Sequence, residues 1–374
     1  MKVLFDTQIF DWQINGGISR YFTELFHRFD KSGDIDLLFK CYHSYNTYIQ
    51  NSPWLSRKKI LADTDFKGKL RLVKKFNEFM NRRYSNAILK AGKQDIFHPT
   101  YYDTYFLKRL GQKPFVLTVY DLTHEKFFAR NAAVEKTLAQ KKLLIEKAAH
   151  IVSISENTKN DVVNYYHIAP EKITTVYLAS SFGESSSTVS EEEKDTLPAD
   201  YILFVGSRKE VYKNFIPFVR EAAPVIRKLN IHLIVAGGGG LNATETALLK
   251  ELDIDKQTIS FAHVSDAFLK HLYKQAMVFI FPSLYEGFGI PVLEAMQCRC
   301  PALLSNNSSL PEVGGNAAVY FDPFKAGDLG GELEKLLLDE AGREQMIAAG
   351  TEQATKFNWD ITAEQHIQVY KKLC

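Results

Sequence analysis

The sequence predicts two α/β domains of the doubly wound kind, each built on a parallel sheet. Short apolar runs recur along the 374 residues and alternate with segments of helical spacing, which is the pattern of strand–helix–strand units. The length suits about two ordinary domains. A polar, serine-rich and acidic stretch at 181–199 interrupts the pattern and indicates a linker. We therefore expect a first domain at 1–180, a second at 200–355 and a terminal helix at 356–374.

Composition and charge limit the class of protein. Hydrophobic residues make up 45% of the chain and charged residues 24%, the balance of a globular protein. The formal net charge is only +2, so nucleic acid is not an expected partner. No apolar run approaches the roughly 18 residues that span a bilayer, and the amino terminus lacks a signal-peptide core. The four cysteines have no zinc-type spacing. The expected location is cytoplasmic.

The first domain opens with a strand, a glycine turn and an amphipathic helix. Val3–Phe5 is the strand, Gly16 and Gly17 form the turn, and apolar residues from Ile18 onward recur at helical spacing. The dinucleotide fingerprint G-x-G-x-x-G is absent, so a nicotinamide cofactor has no direct support. Further strands of this domain are expected at 35–41, 94–100, 114–121, 151–155 and 173–177.

A basic segment at 57–83 carries ten Lys and Arg against three Asp and Glu. Apolar residues recur through its later part every three or four positions: Phe66, Leu70, Val73, Phe76, Met80 and Tyr84. The spacing predicts an amphipathic helix with a basic face. Such a helix is either a solvated surface helix that covers the sheet or a contact with an anionic membrane or lipid-phosphate acceptor.

The central stretch of the second domain is 281–296, Phe-Pro-Ser-Leu-Tyr-Glu-Gly-Phe-Gly-Ile-Pro-Val-Leu-Glu-Ala-Met. It begins at the end of a buried strand, turns through a glycine loop and enters a helix at Pro291. A helix N-terminus favours an anionic ligand. The carboxylates of Glu286 and Glu294 add acceptors suited to hydroxyl groups. Phosphate and polyol together indicate a nucleotide sugar.

Other strands of the second domain are expected at 201–205, 231–236, 258–264 and 302–305, with helices at 215–229 and 359–373. Arg208 and Lys213 follow its first strand, so at the carboxyl edge of a parallel sheet they would face the same crevice as Glu286. A forked guanidinium and a mobile ammonium suit a diphosphate. They would stabilise the charge that develops on a departing nucleoside diphosphate.

Polar residues also follow strands of the first domain. His98, Asp121 and His124 come at or just after expected strands, and Ser153–Asn157 continues the series. Ligands of open α/β sheets bind beyond the carboxyl ends of strands, so these groups are expected to converge on one cleft. Each histidine and Asp121 is a candidate for binding an acceptor, and each could instead make structural hydrogen bonds.

These motifs resemble the retaining glycosyltransferases of family 4, which have the GT-B fold. Residues 285–296 resemble the family's E-x7-E signature, and Asn15–Tyr21 resembles the glycine loop and helix that open its acceptor domain. Other matching stretches are Ser153–Thr158, Lys172–Val176, Gly206–Arg208, Lys213–Asn214 and Ser308–Glu312. The resemblance implies two Rossmann-like domains facing a central cleft, with the terminal helix from Trp359 crossing back to the first domain.

The resemblance also implies roles for individual residues. Arg208 and Lys213 would bind the donor diphosphate, and Gly16 and Gly17 would let the first-domain loop approach it. The remaining donor contacts would be Glu286, Gly287, Phe288 and Gly289 to the sugar, Glu294 to the ribose and Val264 to the base. The family transfers a sugar with retention, and the leaving phosphate takes the acceptor proton, so no protein nucleophile is expected. No metal or other cofactor is expected either.

Two positions depart from the family pattern. Tyr120 stands where many members have histidine, which leaves Asp121 or His124 to serve the acceptor. Arg299 stands where glycine is common, and the sequence offers no account of it. Three Asp-x-Asp triplets, at 34–36, 63–65 and 253–255, are attributed to chance and not to a metal site.

The sequence therefore predicts a metal-independent hexosyltransferase of cell-surface polysaccharide or lipopolysaccharide biosynthesis. GDP-mannose and UDP-hexoses both remain open as donors, and Asn15–Tyr21 favours mannosyl transfer. The expected acceptor is a glycan or a lipid-linked glycan, with peripheral contact at the inner face of the membrane through 57–83. The alternatives are a catalytically silent module that binds a nucleotide sugar or glycan, and a nucleotide-sugar 2-epimerase.

Overall fold

A computed structural model describes residues 1–56, 69–182 and 197–374. The chain forms two compact units: unit 1 is Met1–Leu178 with Trp359–Cys374, and unit 2 is Ala179–Asn358. Most of the predicted linker, at 183–196, lies outside the described residues, as does the first part of the basic segment, at 57–68.

The described residues of unit 1 form six parallel strands. Three pair in the order β2–β1–β3 and three in the order β4–β5–β6. A parallel bridge between Phe97 and Phe115 joins the two sets, and Val3 lies opposite both Leu37 and Ile96. The strands are β1 Lys2–Phe5, β2 Asp36–Leu38, β3 Ile96–His98, β4 Val116–Val119, β5 His150–Ser153 and β6 Ile173–Thr175.

The helices of unit 1 cover this sheet. They are α1 Gln8–Trp12, α2 Gly17–Ser32, α3 Lys69–Ala91, α4 Leu107–Leu110, α5 Thr123–Lys126, α6 Ala132–Lys147, α7 Glu156–Tyr166 and, from the end of the chain, α15 Trp359–Lys371. Helix α15 packs on α2, and Tyr370 is fully buried there. The prediction that the terminal helix returns to the first domain is confirmed.

Unit 2 is built on one six-stranded parallel sheet in the order β12–β11–β10–β7–β8–β9. Counted from the first strand of the unit this is 3-2-1-4-5-6, the doubly wound order of dinucleotide-binding folds. The strands are β7 Tyr201–Val205, β8 His232–Ala236, β9 Thr258–Phe261, β10 Val278–Phe281, β11 Ala302–Ser305 and β12 Val319–Phe321. The sequence did not predict β12, a strand of only three residues that ends an apolar run at 317–321.

Apolar faces of two helices pack together on one side of this sheet. Phe218 and Ile226 of one helix and Leu333 of another are fully buried against the strands. The helices are α8 Phe215–Leu229, α9 Ala243–Glu251, α10 Asp266–Gln275, α11 Ile290–Gln297, α12 Leu310–Gly314, α13 Asp328–Leu338 and α14 Glu340–Thr355.

Helix α3 differs from its prediction in the face that it buries. Asn77, Asn81 and Ser85 point inward with Val73, whereas Phe76 is exposed. The inward face is polar because Asn81 forms hydrogen bonds with the backbone of the segment at 42–43. Its Oδ1 accepts from Tyr42 N at 2.6 Å, and its Nδ2 donates to His43 O at 3.1 Å. Among the described helices, none has both the length and the apolar character that crossing a bilayer requires.

Candidate active site

The predicted donor residues of unit 2 lie in loops at one edge of its sheet, except Glu294, which lies in the helix that follows one of these loops. All six strands are parallel, so the loops after β7, β8, β9, β10 and β11 leave from the same edge. The strand order reverses between β7 and β10, which are hydrogen-bonded neighbours. Ligands of doubly wound sheets bind at this reversal point. The loops that carry Lys213 and Glu286 flank it.

Lys213 and Glu286 contact each other directly. Lys213 Nζ is 2.7 Å from Glu286 Oε1, and both side chains are largely buried. The ammonium also lies 5.6 Å from the centre of the Phe281 ring, and Leu284 N donates to Tyr212 O at 2.7 Å. The loops after β7 and β10 are thus fastened together, and they present a cation and a carboxylate side by side at the reversal point.

Two serines from the loop after β11 fix the backbone around Glu286. Ser308 Oγ accepts from Glu286 N at 2.9 Å, and Ser309 Oγ donates to Glu286 O at 3.0 Å and to Phe288 O at 2.7 Å. Gly289 then starts helix α11 with φ +111°, and a Cβ there would meet Leu310 Cδ2 at 3.0 Å. Only glycine combines that backbone conformation with so close a neighbour.

Glu294 lies within α11 and is almost fully buried. Its Oε2 accepts a hydrogen bond of 3.2 Å from the hydroxyl of Tyr273 on α10. Burial, followed by the charge of Glu294, raises the pKa of Tyr273 well above its ordinary value, so the phenol remains a donor. Val264 is half-buried in the loop after β9, one residue before Ser265 caps α10.

Arg208 lies in the loop after β7, as predicted, and makes contacts that the sequence did not predict. Its side chain is buried, and Nε pairs with Glu245 Oε1 at 3.1 Å. Nη1 donates to Gly237 O at 2.6 Å, and Nη2 donates to Gly239 O at 2.8 Å and Gly240 O at 3.0 Å. The guanidinium therefore holds the glycine loop 237–240 after β8. Phosphate binding by Arg208 stays a prediction, whereas its binding of this loop is observed.

In unit 1, Gly16 and Gly17 start helix α2. Gly16 is its N-cap, and a Cβ at Gly16 would come within 2.7 Å of the Gln13 side chain. Gln13 Oε1 in turn accepts from Ser19 N at 3.1 Å. The glycine allows the amide of Gln13 to fold over the start of the helix, at the carboxyl end of β1.

The loop after β4 brings Asp121 and His124 together. Thr123 N donates to Asp121 Oδ1 at 2.9 Å, and His124 stacks on Phe128 with 4.7 Å between the ring centres. Burial and the nearby ammonium of Lys141 lower the pKa of His124. His124 is therefore suited to remain neutral, and a neutral imidazole can accept a hydrogen bond.

A buried ion pair supports this loop. Lys141 Nζ is 2.8 Å from Glu125 Oε1 and 2.5 Å from Asp121 O, and neither charged side chain is exposed. Tyr101 lies beside the loop, and burial together with the charges of Asp121 and Glu125 raises its pKa to about 12. Removing one partner from such a pair costs several kcal/mol, about 3–5 in typical cases.

His98 is not part of this group, and its predicted acceptor role does not fit its position. It is the last residue of β3, and its side chain is fully buried. Its Nδ1 lies 2.7 Å from Tyr370 Oη and its Nε2 2.9 Å from Thr118 Oγ1. The ring therefore joins β3 to helix α15 and β4 inside the core.

Several supporting residues were not predicted. Lys141 falls on the apolar stripe of α6 with Val134, Leu138 and Leu144, and a lysine at such a position is a sequence signal for a buried ion pair. Asn242-Ala-Thr-Glu245 has the spacing of a capping box, and it forms one at the start of α9. Glu245 of this capping box also binds Arg208, a long-range contact that no local sequence pattern predicts.

The residues described at 1–56, 69–182 and 197–374 contain no group of three His, Cys, Asp or Glu side chains that could hold a metal ion. Of the three Asp-x-Asp triplets, 63–65 lies outside the described residues. The other two precede β2 and β9, at the opposite ends of the strands from the site.

Two family models match the chain. The model "Glycosyltransferase Family 4" matches residues 15–179, and "Glycosyl transferases group 1" matches residues 187–353. The first covers most of the described part of unit 1, and the second covers most of unit 2. Together they account for nearly the whole chain.

Individual proteins resemble the chain over its full length. O-antigen chain mannosyltransferase B of Escherichia coli is 28% identical over 402 aligned residues, covering 100% of both chains. A sucrose-phosphate synthase from Thermosynechococcus elongatus superposes with a TM-score of 0.74 at 19% identity, over 100% of this chain and 98% of that one. Anabaena HepE, solved with UDP and glucose, has a TM-score of 0.71 at 14% identity over 100% of both chains. The fold, the loops around Glu286 and the family matches agree: the chain belongs to the group 1 glycosyltransferases with the GT-B fold and is a hexosyltransferase.

Proposed function

We propose that the enzyme transfers mannose from a nucleotide sugar to a glycan acceptor during assembly of an O-antigen type of cell-surface polysaccharide. The observation that carries the proposal is the Lys213–Glu286 pair at the reversal point of the unit 2 sheet, 2.7 Å between the charged atoms. The choice of mannose and of O-antigen is supported by the full-length similarity to O-antigen chain mannosyltransferase B.

Each donor contact follows from the chemistry of its residue. Lys213 is the cation for the diphosphate, and the amino end of α11 adds partial positive charge at the same edge. Glu286 accepts hydrogen bonds from sugar hydroxyls. Glu294, oriented by Tyr273, accepts from the ribose, and Val264 contacts the base. Arg208 acts through the glycine loop 237–240 that it binds.

The reaction exchanges one bond at the anomeric carbon. The bond from this carbon to the phosphate oxygen breaks, and a bond to the acceptor oxygen forms on the same face, so configuration is retained. The departing phosphate takes the proton of the acceptor hydroxyl. Lys213 stabilises the negative charge that accumulates on the diphosphate, an effect typically worth about 3 kcal/mol in the barrier. The acceptor hydroxyl is positioned by Asp121 and His124 in unit 1.

The test combines a donor screen with matched variants. Nucleotide sugars are first ranked by thermal shift, where a ligand at about 100 times its dissociation constant stabilises by about 2.7 kcal/mol. Transfer from the selected donor to mannose-terminated oligosaccharides is then followed, and the product's anomeric configuration is read by NMR. Glu286→Ala should abolish transfer with the fold intact, and Lys213→Ala should lower kcat by about 10²–10³.

Lys209→Ala, an exposed lysine in the same loop, is the matched control and should keep normal turnover. Unchanged turnover in Glu286→Ala would reject the assigned site. Donor binding without release of nucleoside diphosphate in the wild type would instead support the silent binding module.

We also propose that helix α3 contacts an anionic membrane surface. Leu72, Phe76 and Phe79 are exposed along one stripe of the helix, and Arg83 lies over the Phe79 ring at 5.7 Å. Exposed apolar side chains flanked by basic ones suit the interface of an anionic bilayer, where each Lys or Arg contributes about 1 kcal/mol. Such a contact would hold the enzyme at the inner face of the membrane, beside a lipid-linked acceptor.

Liposome sedimentation tests this contact. The wild type should bind vesicles with anionic lipid more than neutral ones, and Phe76→Ser with Phe79→Ser should remove the difference. Phe324→Ser, an exposed phenylalanine of unit 2, is the control. Equal sedimentation with both vesicle types would contradict the proposal.

A further inference from the structure

A pocket of about 390 Å³ opens in unit 1 between α1, α3 and the chain at 43–45. Its volume falls in the range of small-ligand sites, about 300–1,000 Å³. Its wall combines aromatic and apolar side chains with a few polar ones, chiefly Trp12, Ile14, Tyr45, Lys74 and Asn77. None of these residues has a role in the reaction described above.

Trp12 dominates the apolar side of the pocket. It is 58% exposed, whereas Trp54 and Trp359 are 8% and 3% exposed. Ile14 and Tyr45 beside it are exposed as well. An indole ring held at the surface of a pocket offers a flat apolar platform, which matches the C–H face of a pyranose ring.

Asn77 supplies an unused acceptor on the polar side. The residue is only 4% exposed, and its Oδ1 has no hydrogen-bond partner among the described residues. A buried acceptor without a partner is costly, so such atoms usually have a bound partner in the functional state. A sugar hydroxyl is a donor of the required kind, and the exposed ammonium of Lys74 can donate to another hydroxyl.

A second, smaller pocket continues from the first. It has a volume of about 110 Å³, shares Asp11 and Trp12 with it, and is lined by Glu78, Arg82 and Asp103. Carboxylates and a guanidinium bind hydroxyl groups well, but an acyl chain would strip water from them without replacing it. The chemistry of the two pockets together therefore favours a glycan over a lipid tail.

The pocket is connected to the loop predicted to position the acceptor. Helix α1 follows β1, so it lies at the carboxyl edge of the sheet, as the loop after β4 does. Trp12 contacts Tyr101, with 4.9 Å between the ring centres, and Tyr101 lies beside Asp121. A glycan chain could therefore extend from Asp121 past Tyr101 onto Trp12.

We propose that this pocket is an acceptor subsite, which binds an uncharged pyranose residue that precedes the sugar receiving the transferred hexose. The proposal rests on the proposed function, since it needs a glycan acceptor. Trp12 stacks on the apolar face of this residue, Asn77 Oδ1 accepts from one of its hydroxyls, and Lys74 donates to another. The enzyme then favours acceptors long enough to reach Trp12.

The kinetic test compares methyl mannoside with α-linked manno-di-, tri- and tetrasaccharides. In the wild type, kcat/KM should rise once the acceptor reaches the subsite. Trp12→Ala should remove that rise, a loss of about tenfold for one stacked aromatic contact, and leave the methyl mannoside and the donor KM unchanged. Phe324→Ala is the control. An equal loss on every acceptor, or no loss, would overturn the proposal.

A binding test separates failure of the subsite from failure of the proposed function. Adding mannotetraose should shift Trp12 emission to shorter wavelength as the indole loses water, and Trp12→Phe should not show the shift. Asn77→Leu, which replaces an unpartnered buried acceptor by an apolar side chain, should keep its melting temperature and bind mannotetraose about tenfold more weakly. A shift with anionic lipid micelles but not with mannotetraose would reject the glycan subsite, whether or not transfer is observed.

Discussion

At the residue scale, Arg208 shows how a long-range contact decides the role of a charged side chain. Three carbonyls of the loop 237–240 and the carboxylate of Glu245 surround its guanidinium. Gly238 has φ +73°, and a Cβ there would meet Gly206 O at 2.8 Å. The glycine loop is thus held against the loop after β7, and Arg208 acts as a positioning residue for it.

We predict that Arg208→Lys and Glu245→Gln each weaken donor binding by about tenfold or more, because each loosens the same loop. The loss should be similar for the nucleoside monophosphate and the nucleoside diphosphate, measured by calorimetry. The double variant should bind no worse than the single ones, since the residues act as a unit. A loss confined to the diphosphate would show that Arg208 contacts the phosphates directly.

The backbone conformation of Arg299 explains why glycine is common at this position. It has φ +61° and follows α11, where Arg299 N donates to Met296 O at 3.1 Å and Cys300 N to Ala295 O at 2.9 Å. A residue that ends a helix in the left-handed conformation is usually glycine, since a Cβ there is strained.

Arg299→Gly should therefore stabilise the enzyme by about 1 kcal/mol, because the left-handed conformation costs an L-residue about 1–2 kcal/mol. Thermal unfolding of unit 2 measures the change. Arg299→Ala, which keeps the Cβ, is the comparison and should give no gain. A melting temperature lowered by the glycine would contradict this account.

At the element scale, a buried polar chain fixes helix α15 to the sheet of unit 1. His366 Nε2 lies 2.6 Å from Tyr21 Oη, and Tyr21 Oη lies 3.2 Å from Thr118 Oγ1. Thr118 also contacts His98, which reaches Tyr370 on α15. Burial lowers the pKa of His366 from 6.5 to about 4 and also lowers the pKa of His98.

These shifts predict that His366 makes unit 1 sensitive to acid. Between pH 6.5 and 4 the unfolded chain binds a proton at His366 that the folded chain does not, so the contribution of His366 to the free energy of unfolding is lost as pH falls through this window. Burial raises the pKa of Asp6 and that of Asp11, the latter to about 7, and these carboxyl groups contribute in the opposite direction. The loss from His366 is about 3 kcal/mol over the whole window. His366→Gln should flatten this dependence, and His263→Gln, an exposed histidine of unit 2, should not.

The chain offers a specific probe for that measurement. All three tryptophans, Trp12, Trp54 and Trp359, lie in unit 1, so urea denaturation followed by tryptophan fluorescence reports this unit alone. The pH series is run in the wild type and in both variants. The same pH dependence in the wild type and in His366→Gln would contradict the assignment.

At the scale of the whole molecule, we predict that catalysis does not need a divalent ion. Lys213 and the amino end of α11 bring positive charge to the donor edge of unit 2, and the two described Asp-x-Asp triplets precede strands, at the other edge. Activity measured after EDTA treatment and desalting should equal that of the untreated enzyme. A requirement for Mn²⁺ would count strongly against the assigned donor site.

Most strands of the chain could be predicted from the sequence. Buried parallel strands such as β7 and β11 are continuous apolar runs, so their bounds followed from the sequence alone. The Glu286 loop was also readable, since glycine, proline and glutamate at fixed spacing specify a strand, a turn and a helix start. Strand β12 was missed because three residues are too few to show a strand period.

Local periodicity and turn residues were therefore enough to predict the two α/β units, the family and the edge of the unit 2 sheet at which Glu286 lies. The tertiary structure was needed to show which charges meet. In the folded chain Lys213 pairs with Glu286, and Arg208 binds the loop 237–240. His98 is buried, and a polar face of α3 points inward. Contacts between residues far apart in the chain depend on how strands are ordered and helices packed, and no local pattern encodes that. The same packing formed the pocket at Trp12.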